Sequence, residues 1–581
     1  MIKVQHLSFS FPQKELYTDI SFTLEEAQHC AFIGTSGSGK STLIDILIDR
    51  NRYLFDGTIE MEPDCSIGYV SQFAKPDQSL DTTVFEYIAG PFIKLQEEIQ
   101  LICTEMETSA DIEPLLEKYQ LALDAFEALG GDDYESLIHK KLNLADLMKR
   151  RDLKVSELSG GEFKLVQVMK EMLNRPDFLI MDEPDVFLDF ENLNALRQLI
   201  NAHKGILLVV THNRYLLNHC FNKIIHLENK ELQEFDGRYL EYNLSLLQTK
   251  IELQELALAE QEEIERNDVI IDNLRAIATY NSEASRGRAL KARVKFQERL
   301  EARRIKAPFV DIKQPQIHLG MVHEPQDTDA PVVTVQDYRA AFDELLLDKV
   351  SFELHAGDKV ALIGPNGTGK TTLLRDIARG RHDSITLSPE AAVAYLSQLQ
   401  GEVLNDSNTL LEEFIEAGMA TYDEIRSHLA GYGFEGEIVN QRIAALSGGE
   451  KNLLQLAKVS ALKANVLLLD EPTSHLDTYT QIALDQAIQE YKGAILMISH
   501  DFYSVVNGMD YVLIIDDKTV RKMTIKKFKK MIYARHFDKD YLELEQKKKA
   551  AETRVELALK DNNFELAKSL VVELEELIKL M

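Results

Sequence analysis

The sequence predicts an α/β protein: two tandem phosphate-loop domains joined by a long helical-hairpin linker, with a helical C-terminal extension. Three observations predict it. Two glycine-rich segments, GTSGSGKST (Gly34–Thr42) and GPNGTGKTT (Gly364–Thr372), both fit G-x-x-x-x-G-K-[ST] and begin 330 positions apart. Each is followed by LSGGE (Leu158–Glu162, Leu446–Glu450) and then by an acidic strand end, IMDEP (Ile180–Pro184) or LLDEP (Leu468–Pro472). Between the two sets, Lys250 to Tyr280 contains neither Pro nor Gly, the pattern of a long helix. One glycine loop could be chance; two ordered sets mean a duplicated domain.

The first repeat opens on an alternating apolar stretch, Ile2 to Phe11. A strand at Cys30–Ile33 runs into the loop, and Thr42–Leu47 reads as helix. The second repeat copies this with Val360–Ile363, the loop, and Thr371–Ile377. Strand, loop and helix are the setting a phosphate loop requires. The repeats differ between the glutamine of GYVSQ or AYLSQ and LSGGE. Gln72 and Leu158 are 86 positions apart, but Gln398 and Leu446 only 48. The excess, about 92–130, is rich in Glu and Leu at helical spacing and ends at Gly130-Gly131, so an inserted helical hairpin is expected there. Expected domains are residues 1–245, 246–325 for the linker, 326–530, and 537–581 for the extension.

In the linker a second helix is expected to run to Lys306, where Pro308 ends it. From Arg275 to Lys306 there are ten basic residues against three acidic ones. Ala289, Ala292, Phe296 and Leu300 form an inward seam. Arg288, Lys291, Lys295 and Arg299 each precede one of them and so form a parallel basic stripe. Acid content drops where base content rises, which points to a polyanion rather than a plain solvated face. In the extension, Leu566, Leu570, Leu574, Leu577 and Met581 are expected to form one apolar stripe, with Asp561-Asn562-Asn563 breaking the helix from one upstream.

Composition narrows the partners. The net charge of −30 repels nucleic acid on average, so any such contact must be local, and the linker is where the sign reverses. No apolar run is long enough to span a membrane, and the N-terminus lacks the pattern of a secretion signal. The cysteines (Cys30, Cys65, Cys103, Cys220) are scattered without C-x-x-C, against zinc or a disulfide framework. A cytoplasmic protein is expected.

The motif residues carry definite chemistry. Gly34, Thr35, Ser36, Gly37, Ser38, Gly39, Lys40, Ser41 and Thr42 are expected to cradle nucleotide phosphates at a helix N-terminus, as are Gly364, Pro365, Asn366, Gly367, Thr368, Gly369, Lys370, Thr371 and Thr372. The two lysines supply a cation, and Ser41 and Thr371 a hydroxyl for Mg²⁺. Asp182 and Asp470 end apolar strands and suit the metal's water shell. Glu183 and Glu471, one residue on, are placed to polarise the attacking water. Gln72 and Gln398 can touch metal or water. His212 (VVTHN) and His500 (MISHD) are read as γ-phosphate sensors. LSGGE offers a second anion site, Ser159, Gly160 and Gly161 or Ser447, Gly448 and Gly449, too far along the chain to serve its own loop easily.

These motifs in this order resemble the ATP-binding cassette superfamily, and within it the F subfamily, which has two cassettes on one chain and no membrane domain. The resemblance covers nearly the whole chain. The insertion at 92–130, closed by LGGDDYE, looks like that family's arm, and FDGRYLEY (Phe235–Tyr242) like the motif before its linker. EASRGRALKARVKFQERL (Glu283–Leu300) is similar to the linker that contacts transfer RNA.

The resemblance implies ATP and Mg²⁺ as cofactors and a monomer whose cassettes form an intramolecular head-to-tail sandwich. One composite site would join Gly34–Thr42, Gln72, Asp182, Glu183 and His212 to Ser447–Gly449. The other would join Gly364–Thr372, Gln398, Asp470, Glu471 and His500 to Ser159–Gly161. Phe11 and Phe342, the latter ahead of Tyr338, would stack on adenine. The chain departs from the pattern at EPDVFLD (Glu183–Asp189), with Asp185 and Phe187 at the usual Thr and His positions, and at Asn213 where Asp is usual. The implied activity is ATP hydrolysis on the ribosome near the transfer-RNA exit site, with ribosomal and transfer RNA met by the linker, in general translation or antibiotic protection. The alternative is an ATPase subunit of a transporter with a separate membrane partner. A DNA-maintenance ATPase is disfavoured for want of zinc cysteines or a far longer coiled coil.

Overall fold

A computed structural model of the chain describes residues 1–12, 14–63, 65–72, 81–108, 112–186, 188–280, 315–320, 330–341, 345–536 and 541–581. The basic stripe Arg288, Lys291, Lys295 and Arg299, together with Phe187 and Phe342, lies outside them.

The first cassette runs β1 (Ile2–Phe11), β2 (Lys14–Leu24), β3 (His29–Ile33), α1 (Lys40–Ile48), β4 (Asp56–Glu60), β5 (Ile67–Val70), α2 (Val84–Thr108), α3 (Glu113–Leu129), α4 (Tyr134–Leu144), α5 (Gly160–Leu173), β6 (Phe178–Asp182), α6 (Phe190–Asn201), β7 (Ile206–Val210), α7 (Arg214–His219), β8 (Lys223–Glu228) and β9 (Glu231–Asp236). Strands β2-β1-β4 form an antiparallel sheet, and β5-β6-β7-β3-β8-β9 a six-stranded one, parallel except for β9. Strands β6 and β7, buried at every position, read as continuous apolar runs for that reason. The core gathers Val4 and Phe22 of the antiparallel sheet, Leu43 and Leu47 of α1, and Phe32, Ile180 and Leu208 of the parallel one.

The helix α8 (Tyr239–Tyr280) follows. It starts inside FDGRYLEY, eleven residues before Lys250, because Leu240 and Leu244 belong to its buried face.

The second cassette repeats the plan: β10 (Pro331–Ala341), β11 (Leu345–His355), β12 (Lys359–Ile363), α9 (Lys370–Arg379), β13 (Ile385–Leu387), β14 (Val393–Leu396), α10 (Leu410–Glu416), α11 (Tyr422–Gly431), α12 (Gly448–Ala461), β15 (Val466–Asp470), α13 (Thr478–Glu490), β16 (Ala494–Ile498), α14 (Phe502–Gly508), β17 (Tyr511–Asp516), β18 (Thr519–Thr524) and α15 (Ile525–His536). Its sheets are β11-β10-β13 and β14-β15-β16-β12-β17-β18, strand for strand the order of the first. The segment 315–320, read from sequence as linker, packs with this cassette: Gln316 N donates to Gly431 O (2.7 Å), and Ile317 is buried.

The insertion at 92–130 falls in α2 and α3, where Gly130, at φ 128°, ends the second helix. Helix α2 carries Pro91 in its interior and begins at Val84, earlier than the expected insertion.

Met1–Asp236 with Lys313–Ile532 form one compact unit; Gly237–Ile312 with Tyr533–Met581 form another. In the second, α17 (Phe564–Leu580) packs on α16 (Tyr541–Lys560) and on the start of α8. The buried seam of α17 is Ala567, Leu570, Val571, Leu574 and Ile578, while Leu566 is exposed. Following leucines alone rotated the expected stripe, because a packed helix face also takes the small Ala567 and Val571 that fit between neighbours.

Candidate ATP sites

Both glycine loops sit at the carboxyl end of a central parallel strand, β3 or β12, where ligands of such sheets bind. Gly39, at φ 105°, caps α1, and a Cβ there would lie 2.9 Å from the Tyr17 ring. The Tyr17 hydroxyl donates to Gly39 O and clamps the turn from the antiparallel sheet. Lys40 and Lys370 are buried and folded back on their loops: Lys40 Nζ meets Gly34 O at 2.8 Å and Thr35 O at 3.0 Å, and Lys370 Nζ meets Gly364 O and Pro365 O, each at 2.8 Å. Burial depresses both amines.

Asp182 and Asp470 end β6 and β15 beside the Ser41 and Thr371 hydroxyls, and burial pushes each carboxyl up to about 6. Neither Asp470 oxygen has a hydrogen-bond partner of good geometry, although both are buried. An unsatisfied buried carboxylate beside a hydroxyl fits a hard divalent cation such as Mg²⁺, whose other positions fall to water and nucleotide oxygens. Among the described residues no group of three or more His, Cys, Asp and Glu is set for a metal ion, so no all-protein cage competes with that arrangement.

The two glutamates that follow the strand-ending aspartates have different surroundings. Glu183 Oε2 accepts from Gln72 Nε2 (2.5 Å) and lies 3.2 Å from Nδ1 of His475, a residue of the second cassette; His475 Nδ1 is also 3.2 Å from Gln72 Nε2. Burial raises the Glu183 carboxyl, but the His475 hydrogen bond and the electrostatic surroundings, Lys40 among them, outweigh it, and its pKa is lowered. Glu471 instead meets His500 of its own cassette: Nε2 at 3.4 Å from Oε1, with the His500 N–H donating to Oε2 at 3.3 Å. Burial and the neighbouring Asp470 push Glu471 up to about 8. Burial pushes the His212 and His500 imidazoles down, to about 4 and about 3.

Each glycine loop is contacted by the other cassette. Ser36 N donates to Asp477 Oδ2 of the second cassette, and Asn366 N to Asp189 Oδ2 of the first, each at 3.3 Å. Ser159 and Ser447 cap α5 and α12 in reciprocal boxes with Glu162 and Glu450, which fixes LSGGE at a helix N-terminus. Gly449 faces the opposite phosphate loop so closely that a Cβ would lie 2.5 Å from Ser36 Oγ. Glu183, His212, Glu471, His475 and His500 border one small cavity of about 60 Å³.

Phe11 is partly exposed at the end of β1, T-shaped to Phe9 at 5.0 Å and to Tyr53 at 6.1 Å. Tyr338 is fully buried, and its hydroxyl donates to Asp376 Oδ2 (2.7 Å), which removes it as an adenine platform. Gln398 is half-buried after β14. Sequence reasoning missed Asp189, Asp477 and His475 as site residues. The shared Leu-Asp five residues after each DEP motif's Glu was the available signal for the two aspartates.

The family model described as ABC transporter matches residues 17–186 and 347–474. The chain is 30% identical to "Uncharacterized ABC transporter ATP-binding protein YfmM" of Bacillus subtilis (strain 168), over 87% of this chain and 96% of that one. It is 29% identical to "Energy-dependent translational throttle protein EttA" of Escherichia coli (strain K12), over 84% of this chain and 87% of that one. It is 28% identical to "ABC transporter F family member 2" of Arabidopsis thaliana, over 89% of this chain and 76% of that one. The solved structure described as "Model of ribosome-bound archaeal Pelota and ABCE1" shares the fold at TM-score 0.51 and 14% identity, covering 90% of this chain and 79% of that one.

Proposed function

The chain belongs to the ATP-binding cassette family, in its F subfamily, and from that premise we propose that it acts on the ribosome, near the transfer-RNA exit site, to modulate translation. ATP hydrolysis itself follows from the family and its relatives. The observation that carries the mechanism is the reciprocal pair Ser36–Asp477 and Asn366–Asp189: each phosphate loop is held by the other cassette. Nucleotide binding between the cassettes therefore favours closure, and hydrolysis releases it.

In each site the loop N–H groups and Lys40 or Lys370 hold the phosphates. Glu183, or Glu471 in its ionised form, takes the proton of the attacking water, and His212 or His500 senses the γ-phosphate. Mg²⁺, when bound near Ser41 and Asp182 or Thr371 and Asp470, offsets the charge developing on the phosphate oxygens. Gln72 orients Glu183 through its 2.5 Å contact.

Support for a role in translation is EttA's description as a translational throttle, together with the basic stripe Arg288, Lys291, Lys295 and Arg299. The stripe would meet ribosomal and transfer RNA through phosphates and shape. Antibiotic protection is the second branch of the same reading. Among the described residues no helix is long and apolar enough to cross a membrane; a cytoplasmic monomer is proposed. The test is co-sedimentation of the Glu183→Gln/Glu471→Gln protein, loaded with ATP, with ribosomes, membrane vesicles or DNA. Pelleting with ribosomes alone is expected. Pelleting with vesicles and not ribosomes would restore the transporter-subunit reading.

A further inference from the structure

Each sensor histidine is followed by a short helix, and the two helices meet between the cassettes. In the first cassette the sequence is His212-Asn213-Arg214; in the second it is His500-Asp501-Phe502. Both second residues cap: Asn213 Oδ1 accepts from Tyr215 N and Leu216 N, and Asp501 Oδ1 from Tyr503 N and Ser504 N. The third residues are unrelated, and the difference builds a one-sided contact.

The Arg214 guanidinium crosses to the second cassette. Its Nη1 donates to Asp485 Oδ2 at 2.9 Å, and its Nη2 to Asp501 Oδ2 at 2.7 Å and Ser504 Oγ at 3.1 Å. Ser504 Oγ donates in turn to Asp485 Oδ1 at 2.5 Å. The three charged side chains are only 13%, 9% and 14% exposed, in the order Arg214, Asp485, Asp501. A surface ion pair is weak because water screens it. This one is desolvated and forked over two carboxylates, with the Ser504 hydroxyl bonded to both the arginine and Asp485, so it fixes geometry. Arg214 also lies over the Tyr503 ring at 5.3 Å, and Asn218 Nδ2 donates to the Tyr503 hydroxyl at 3.1 Å.

The cluster has a route to chemistry in one direction. Asp501 adjoins His500, whose N–H and ring both contact Glu471. In the reverse direction the residue matching Arg214 is Phe502, which packs on Phe190 at 5.9 Å and cannot grip Asn213 by charge.

We propose that Arg214 is a positioning residue for the second ATP site: from the first cassette it holds Asp501, and through it the His500–Glu471 pair. The loop that senses nucleotide in the first site thereby sets the catalytic pair of the second. The inference rests on Glu471 being the second site's base, not on any ribosomal role.

The test is single-turnover hydrolysis of bound ATP by the full chain. Glu183→Gln leaves the second site reporting, and Glu471→Gln the first. In the Glu183→Gln parent, Arg214→Met is expected to slow the second-site burst about tenfold or more, with the ATP concentration for half-saturation within about twofold. In the Glu471→Gln parent the first-site burst should change less than about twofold. Arg214→Lys, which can grip one carboxylate but not fork over two, should recover part of the loss. Asp501→Asn keeps the helix cap, as Asn213 does, and should slow the same site, which covers the case in which Arg214→Met does not fold. Equal losses at both sites, or none at the second, would overturn the proposal. A Glu183→Gln parent with no burst at all would instead fault Glu471 as the base, and the proposal would fall with it.

Discussion

Gly449→Ala offers a direct probe of how closely the signature segment must approach the opposite phosphate loop. An added Cβ would lie 2.5 Å from Ser36 Oγ and 2.6 Å from His475 O, against about 3.4 Å for an ordinary contact. The serine side chain can rotate away. The His475 carbonyl is backbone, in the loop that carries the His475 ring to Glu183 and Asp477 to Ser36 N. Relief therefore pulls two cross-cassette contacts out of place. Overpacking of this kind costs about 1–3 kcal/mol. At about 1.4 kcal/mol per factor of ten, closure of the first site weakens about 5- to 150-fold. Gly448→Ala is the matched control, since its Cβ would have nothing nearer than 4.0 Å. Single-turnover hydrolysis in the Glu471→Gln background reads the first site alone. Gly449→Ala within twofold of its parent, or Gly448→Ala falling as far, would refute the close-approach argument.

Glu183→Gln with Glu471→Gln should retain ATP and lose about 10²–10⁴-fold in steady turnover, the usual share of a positioned base; near-normal ATPase would remove both residues from that role. The single variants should leave unequal residual ATPase, because Glu183 is held by Gln72 and His475 whereas Glu471 is held by His500. Indistinguishable rates and equal growth inhibition would count against that asymmetry. Burial, with smaller contributions from His29 and Lys141, pushes His203 down to about 4, below its unfolded value near 6.5. The unfolded chain then binds the extra proton first, so stability is full above pH 6.5 and falls as pH drops towards 4. The melting temperature should fall over that window, and less steeply in His203→Gln; parallel slopes would show that His203 is not the cause.

The fold was legible because its chemistry is local. A glycine loop needs a strand before it and a helix after it, and both stood in the sequence twice. Strand ends were legible too, since Asp182 and Asp470 interrupt continuous apolar runs. The individual side-chain contacts between repeats were not. His475 reaching Glu183, or Arg214 reaching Asp485, joins residues 292 and 271 positions apart, and nothing in either local pattern encodes the pairing. The tail shows an intermediate case. Its helices and their break at Asn563 were readable, with the cap donated by Leu566 N confirming the break. The face buried against Leu240, Leu244 and Ile251 was readable only to within a rotation, because the partner helix decides which small residues go inside.

The most direct test of the central claim is ribosome pelleting of the ATP-loaded Glu183→Gln/Glu471→Gln protein across a salt series. It compares the native stripe with one in which Arg288, Lys291, Lys295 and Arg299 are all changed to Glu. If the stripe meets RNA phosphates, native binding weakens steeply with salt through counterion release, and the charge-reversed protein does not pellet. Its ribosome-free ATPase, assayed in the chain with both glutamates intact, stays close to normal, because the stripe lies outside the residues assigned to either ATP site. A charge-reversed protein that pellets with the native salt dependence would contradict the account and leave the stripe as solvated surface.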